Sequence, residues 1–85
     1  MPYTIIYSSR AAKHLEKLPS DITLKVIESI SELKYDPYRQ VHKMKGHSEY
    51  RYRIGQYRAI IDINDKEGII EILMVGHRSK VNRNY

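Results

Sequence analysis

The sequence predicts an α+β domain in which a helical hairpin packs on one face of a mainly antiparallel, four-stranded sheet, in the order β-α-α-β-β-β. Apolar residues recur every three or four positions in the first half of the chain, whereas apolar and polar residues alternate after residue 50. A chain of 85 residues, 41% of them hydrophobic, can build one core but not two. We therefore expect a single folded domain over residues 1–85.

The chain opens with a predicted strand and a short helix. Residues 3–7 are mostly β-branched or aromatic, which is typical of a strand, and Ser8 and Ser9 can cap the helix that follows. Pro19 ends this helix because proline removes a helical hydrogen bond. The apolar stripe that we expect to be buried consists of Ala11, Leu15 and Leu18.

A second helix completes the predicted hairpin. Ser20 is placed to cap it, and Asp36 ends it because the residue before a proline disfavours the helical region. Its apolar stripe consists of Ile22, Val26, Ile27, Ile30 and Leu33. We expect the inner faces of both helices to lie against the sheet.

Three strands are predicted in the second half of the chain. Residues 50–54 and 57–63 alternate around a two-residue turn that contains Gly55, so they form a hairpin. Residues 69–75 are almost entirely apolar, which is typical of an internal strand covered on both faces. Residues 38–48 follow neither period and are expected to form a loop.

Positive charge is concentrated in one segment. The chain has 15 Lys and Arg against 10 Asp and Glu, a net charge of +5 that favours polyanionic partners. Residues 37–58 hold six basic residues against Glu49 alone, and the segments on either side are balanced. The whole excess therefore belongs to the loop and the first hairpin.

The composition excludes several classes of site. The absence of cysteine excludes disulfides, thiolate zinc sites and cysteine nucleophiles, and no apolar run approaches the ~18 residues of a spanning helix. The four histidines and the acids lack ligand spacing such as two histidines one helical turn apart. We expect a cytoplasmic protein without a metal, a cofactor or a membrane partner.

The hairpin register puts three arginines on one face of the sheet. The turn sets Arg53 opposite Arg58 and brings Arg51 to the same side. Like charges directly opposite each other are unfavourable, so the arrangement indicates an anionic ligand such as RNA phosphate, which guanidinium groups bind in pairs. The alternative is that the arginine stems only cover the sheet and that Asp62 or Glu71 neutralises them.

Cutting RNA without a metal requires a base and an acid in addition to cations. Arginine supplies only the charge, because its pKa exceeds ~12. His77, beside Arg78 after the third strand, is the candidate for proton transfer, and the alternative is a strand-end histidine satisfied by the backbone. His42 and His47, in the predicted loop, suit a phosphate contact or no role, and His14 is expected on the helix surface.

Several short runs, taken in order, carry a family resemblance. Residues 43–46 read Lys-Met-Lys-Gly, residues 50–61 read Tyr-Arg-Tyr-Arg-Ile-Gly-Gln-Tyr-Arg-Ala-Ile-Ile, and residues 75–78 read Val-Gly-His-Arg. Together with the first strand and the pairs Leu18-Pro19 and Asp36-Pro37, these runs resemble the RelE/ParE superfamily of toxins from type II toxin–antitoxin pairs.

The resemblance implies an activity and a partner. Members of the RelE branch enter the ribosomal A site and cut messenger RNA through attack by a 2′-hydroxyl, so we expect a metal-independent, ribosome-dependent endoribonuclease that inhibits translation. It also implies a co-expressed antitoxin, for which the positive charge favours a small acidic protein. The alternatives are a ParE-like inhibitor that binds DNA gyrase and an inert RNA-binding relative.

The resemblance also implies a set of site residues. The catalytic positions are Arg51, Arg53, Arg58, His77, Arg78 and Tyr85. The RNA-binding positions are Lys43, Lys45, Lys80 and Arg83. Lysines are common in the RelE branch where this chain has Arg51 and Arg53, and the C-terminal tyrosine stands three residues later than one usual place.

Overall fold

The computed structural model describes residues 2–84, with side chains described as far as Val81. The elements are β1 (Thr4–Tyr7), α1 (Ser9–Glu16), α2 (Ser20–Ser31), β2 (Val41–Lys43), β3 (Tyr50–Ile54), β4 (Tyr57–Asn64), β5 (Ile69–His77) and α3 (Arg78–Asn84), with 3-10 helices at Glu32–Lys34 and Pro37–Arg39. The predicted α+β class is confirmed. No helix of residues 2–84 has the length and the apolar composition needed to cross a membrane.

The strands form one mixed sheet in the order β1-β5-β4-β3-β2. β1 runs parallel to β5, and the other neighbouring pairs are antiparallel. The predicted count of four strands is wrong, because β2 forms inside the predicted loop and pairs with β3. β2 has only three residues, too few to show an alternating pattern.

The two faces of the sheet carry different layers. α1 and α2 cover one face through a core that includes Ala11, Leu15, Val26, Ile30, Tyr52, Ala59, Ile61 and Ile72. A smaller core of Met44, Ile60, Met74 and Val81 lies on the other face, where α3 packs. The expected burial of the helical hairpin is confirmed, except that Ile27 points outward and is 39% exposed.

The starts of the two long helices differ from each other. The Ser8 hydroxyl accepts a hydrogen bond from the Ala11 N–H at 3.0 Å, so this predicted cap is confirmed. At α2 the cap position is Pro19, which offers no side-chain bond, and its carbonyl accepts from the Thr23 N–H at 2.9 Å. The prediction that Ser20 caps α2 is therefore wrong, because the helix begins one residue earlier.

β5 lies between β1 and β4, which confirms the prediction of an internal strand. It continues beyond the end of β1, whose last pair joins Tyr7 to Ile72. Beyond this point, side chains from the α1 region bind the backbone groups of β5 that β1 does not reach. The Ser8 hydroxyl donates to the Leu73 carbonyl at 3.0 Å, and the Val75 N–H donates to His14 Nδ1 at 3.3 Å. His14 is therefore half-buried, and the expectation of a surface role is wrong.

Candidate nucleic-acid interface

The hairpin register matches the prediction pair for pair. Gly55 has a φ of +58°, as the tight turn requires, and the turn sets Arg53 opposite Arg58. Arg51 lies opposite Ile60, which belongs to the smaller core on the face away from α1 and α2. The three arginines therefore share that face, which we call the arginine face.

Arg78 joins the arginine face from the start of α3. Its backbone N–H donates to the Gln56 carbonyl at 2.9 Å, which ties α3 to the turn of the hairpin. Val81, further along α3, packs over Gly76, because a Cβ built at Gly76 would lie 3.5 Å from the Val81 side chain. Gly76 is paired with Arg58, so this contact holds α3 close to Arg58. The sequence alone indicated that Arg78 follows the strand but not that α3 folds back over this face.

Arg58 is the centre of the group. It is only 8% exposed, whereas Arg51 is half-buried and Arg53 and Arg78 are exposed. Burial first, and then the positive charges of Arg51, Arg53 and Arg78, lower the pKa of Arg58. Among the described residues, the charged groups that lower the Arg58 pKa are thus three other arginines. The site therefore has a positive electrostatic potential, which attracts anions.

The acids that might have neutralised the arginines lie elsewhere. Asp62 and Glu71 are paired with each other across β4 and β5, four residues along β4 from Arg58. A carboxylate held opposite another carboxylate at the far part of the strands is not placed to cover the hairpin end. Neither Asp62 nor Glu71 is therefore placed to neutralise the arginine face.

The predicted lysines do not all reach this face. Lys43 is paired with Tyr50, its Nζ lies 6.0 Å from the Tyr50 ring centroid, and Tyr50 packs against the core beneath the helices. Lys43 therefore lies on the helix side, and His42, paired with Arg51, takes its place on the arginine face. Lys45 is exposed in the turn after β2. Because β2 has only three residues, the sequence could not show that His42, and not Lys43, lies on the arginine face.

His77 lies on the other side of the sheet from Arg58. It is paired with Tyr57, and the two rings meet edge to face with centroids 5.6 Å apart. Its Nδ1 accepts from the Ser79 N–H at 3.3 Å and lies 3.1 Å from the Ser79 hydroxyl. His77 thus precedes α3 in the manner of a capping side chain.

The remaining predicted residues lie in or near α3. Lys80 is exposed on this helix. Arg83 belongs to α3 by its backbone, but its side chain is outside the described part, and Tyr85 lies outside the described residues altogether. Among the side chains that the structure describes, no group of three or more His, Asp or Glu is arranged to hold a metal ion.

Comparison with known proteins agrees with the fold and with the family that the sequence resembles. Residues 5–82 match the family model described as "ParE toxin of type II toxin-antitoxin system, parDE". The chain is 31% identical over 86 residues to Toxin RelG of Mycobacterium tuberculosis, covering 98% of this chain and 99% of that protein.

Two solved structures are also similar. One is the RelBE2 toxin–antitoxin complex of Mycobacterium tuberculosis, with a TM-score of 0.83 and 31% identity, covering 92% of this chain and 100% of that one. The other is the archaeal RelE–RelB complex of Pyrococcus horikoshii, with a TM-score of 0.80 and 30% identity, covering 94% and 99%.

Proposed function

Because the chain belongs to the RelE/ParE superfamily of toxins from type II toxin–antitoxin pairs, we propose that it is a metal-independent endoribonuclease that cuts messenger RNA in the ribosomal A site and so inhibits translation. The observation that carries this proposal is the burial of Arg58 beside Arg51, Arg53 and Arg78. Guanidinium groups pair with phosphate oxygens in a fork geometry, so four of them form a site for a phosphodiester.

The reaction needs charge where the phosphate becomes crowded. When the 2′-oxygen bonds to phosphorus and the bond to the 5′-oxygen breaks, negative charge builds on the non-bridging oxygens, and the products are a 2′,3′-cyclic phosphate and a 5′-hydroxyl. Arg58 and Arg78 are proposed to hold those oxygens, while Arg51 and Arg53 lie near the attacking hydroxyl. Preorganised cations of this kind act mainly by stabilising the transition state.

Proton transfer is a separate requirement, because arginine does not release its proton at neutral pH. His77 and Tyr85 stay predictions for this role. The bond from the Ser79 N–H to His77 Nδ1 also supports a positioning role, in which the imidazole holds the start of α3 and with it Arg78.

RNA contacts beyond the scissile phosphate are proposed for the basic residues around the arginine face. His42 lies opposite Arg51, Lys45 is exposed in the turn after β2, and Lys80 is exposed on α3 near His14. Lys43, on the helix side, reaches RNA only if the strand passes round the edge of the sheet at β2. The contact by Arg83 stays a prediction.

An antitoxin is the proposed partner. The similar structures from Mycobacterium tuberculosis and Pyrococcus horikoshii are described as complexes of a toxin with an antitoxin. The net charge of +5 favours a small acidic protein as the partner of this chain. A protein that binds only the folded toxin also stabilises it by mass action.

Cleavage in a translating extract tests the proposal. The wild-type protein is expected to cut ribosome-bound message, and Arg53→Ala to reduce cleavage by roughly 100-fold, the usual loss for one transition-state donor. Arg53 is exposed, so its removal leaves the core intact. Arg39→Ala, which removes an exposed arginine away from the hairpin, is the matched control and should cut normally.

A second candidate function has its own support. The family model that matches residues 5–82 is that of ParE, and ParE-like members inhibit DNA gyrase by binding it without cutting RNA. A supercoiling assay distinguishes the two: inhibition of gyrase with intact message would replace the proposed function. Salt-sensitive RNA binding with neither activity would identify an inert relative.

A further inference from the structure

A pocket of about 440 Å³ lies at the open edge of β5, where this strand continues past the end of β1. It opens between the C-terminal part of α1 and the start of α3. Its polar lining consists of His14, Lys17, Tyr57, His77 and Lys80. Of these residues, only Lys80 belongs to the RNA-binding set proposed above, and only His77, whose ring meets that of Tyr57 edge to face, is a candidate for proton transfer or positioning.

The hydrogen bonds of the two histidines define what they present to the pocket. His14 Nδ1 accepts from the Val75 N–H, and His77 Nδ1 accepts from the Ser79 N–H, both at 3.3 Å. In a neutral imidazole whose Nδ1 accepts a hydrogen bond, Nε2 carries the proton. Each histidine therefore offers a hydrogen-bond donor in addition to its engaged acceptor.

The charges around the pocket are positive. Burial lowers the pKa of His14, and the charges of Arg10, Lys17 and Lys80 lower it further. The lining of the pocket includes no carboxylate among the described residues. Two ammonium groups, two imidazole donors and a phenol hydroxyl form a donor-rich site, which suits an anion and leaves a cation without a partner.

The rest of the lining is apolar. It consists of Leu18, Pro19, Met74, Val75 and Gly76, and the ring of Tyr57 adds further apolar surface. The volume falls within the range of about 300–1,000 Å³ that is usual for small-molecule sites. An anion attached to a flat apolar group fits this combination better than a bare ion does, because the ring and aliphatic side chains give a stacking surface.

We propose that this pocket binds the phosphate group of a nucleotide through Lys17, Lys80 and the histidine donors, with the base against Tyr57 and Leu18. The nucleotide belongs either to an RNA strand that passes over the end of β5 or to a free mononucleotide, and the chemistry of recognition is the same. The proposal does not depend on RNA cleavage by the arginine face.

An NMR titration of the full chain, read from the ring signals of His14, tests the proposal. The probes are 5′-AMP, adenosine, and a short 2′-O-methyl RNA that lacks the attacking hydroxyl. 5′-AMP is expected to shift the His14 signals saturably, and adenosine is not. Saturable shifts with the RNA at lower concentration would assign the site to a strand, and shifts with 5′-AMP alone to a free nucleotide.

Two lysine variants complete the test. Lys17→Ala is expected to weaken 5′-AMP binding by roughly threefold or more, because it removes one charge from the phosphate. Lys13→Ala, which removes an exposed lysine of the same helix outside the pocket, should leave binding unchanged. Equal effects of the two variants, equal shifts with adenosine, or no saturable response to either phosphate probe would overturn the proposal.

The outcome is independent of the proposed activity, since no cleavage is measured. A protein that binds 5′-AMP through Lys17 but leaves message intact keeps the pocket and loses the endoribonuclease proposal. A protein that cuts message but shows no response at His14 keeps the endoribonuclease proposal and loses the pocket proposal.

Discussion

Arg58 combines three features that stability alone does not explain. It is buried, it lies directly opposite Arg53 on the neighbouring strand, and the charges of three other arginines lower its pKa. Like charges directly opposite each other across a strand pair destabilise a sheet. An anion between Arg53 and Arg58 would offset this repulsion, which is the role that we propose for the RNA phosphate.

His77 permits a test that separates proton transfer from positioning. Asparagine can accept the Ser79 N–H as the imidazole does, but it cannot exchange a proton near neutral pH. We expect His77→Asn to keep most of the cleavage activity and His77→Ala to lose more, because alanine leaves the start of α3 without its acceptor. A side-chain acceptor at a helix start contributes about 0.5–2 kcal/mol.

The measurements for His77 are cleavage rates as a function of pH, with α3 monitored by amide hydrogen exchange. If the asparagine variant cuts as slowly as the alanine variant while α3 stays protected, the imidazole itself moves a proton and the positioning role is insufficient.

Among the elements, two tyrosines and one carboxylate connect three segments of the chain. The Tyr3 hydroxyl donates to Asp65 Oδ1 at 2.6 Å, and the Tyr38 hydroxyl lies 2.8 Å from each Asp65 oxygen. These bonds join the start of the chain and the segment before β2 to the turn between β4 and β5. The bond from Tyr3, and then that from Tyr38, lowers the pKa of Asp65.

The Asp65 cluster predicts a pH-dependent stability. Because the folded pKa of Asp65 is below its unfolded value of ~3.9, its contribution is present above that value and is lost as the pH falls through the folded pKa. We expect Asp65→Asn to lower the melting temperature slightly at pH 7, since the site is exposed, and the difference from wild type to shrink below about pH 4.

Thermal unfolding at several pH values measures the effect of Asp65→Asn, with Glu28→Gln, an exposed acid of α2, as the control. A difference between wild type and Asp65→Asn that stays constant down to the lowest pH would contradict the assignment to this carboxylate.

The elements differ in how far the sequence determines them. The register of β3 and β4 was predictable because a two-residue turn at Gly55 leaves only one alignment of the strands. The register of β5 was not, because Ile60 pairs with Met74 and Ile61 with Ile72, which leaves Leu73 as an extra residue without a sequence signal. The face taken by His77 follows from that irregularity.

The position of His14 could not be predicted from the local sequence of α1. Its ring accepts the Val75 N–H only because β1 ends before β5 does, which is a property of the whole sheet. The arginine face could therefore be predicted from the sequence, whereas the pocket at the edge of β5 could not.

At the scale of the whole molecule, the excess charge should control RNA affinity. For single strands, each phosphate contact changes the slope of log K against log salt by about −0.7. We expect Arg53→Ala to reduce the steepness of this slope by about that amount with a 2′-O-methyl RNA. Arg39→Ala, in the 3-10 helix before β2 and outside the elements that carry the four arginines, should leave the slope unchanged. Equal slopes for all three proteins would argue against phosphate contact at Arg53.

The proposal that Arg58 and its neighbours stabilise a phosphodiester during cleavage is tested by the single-turnover rate of cleavage on ribosomes programmed with message. With excess toxin and folding verified by circular dichroism, Arg58→Ala is expected to cut about 100-fold or more slowly than wild type while still binding the programmed ribosome. Cleavage by Arg58→Ala at the wild-type rate, or no cleavage by the wild-type protein, would contradict the claim.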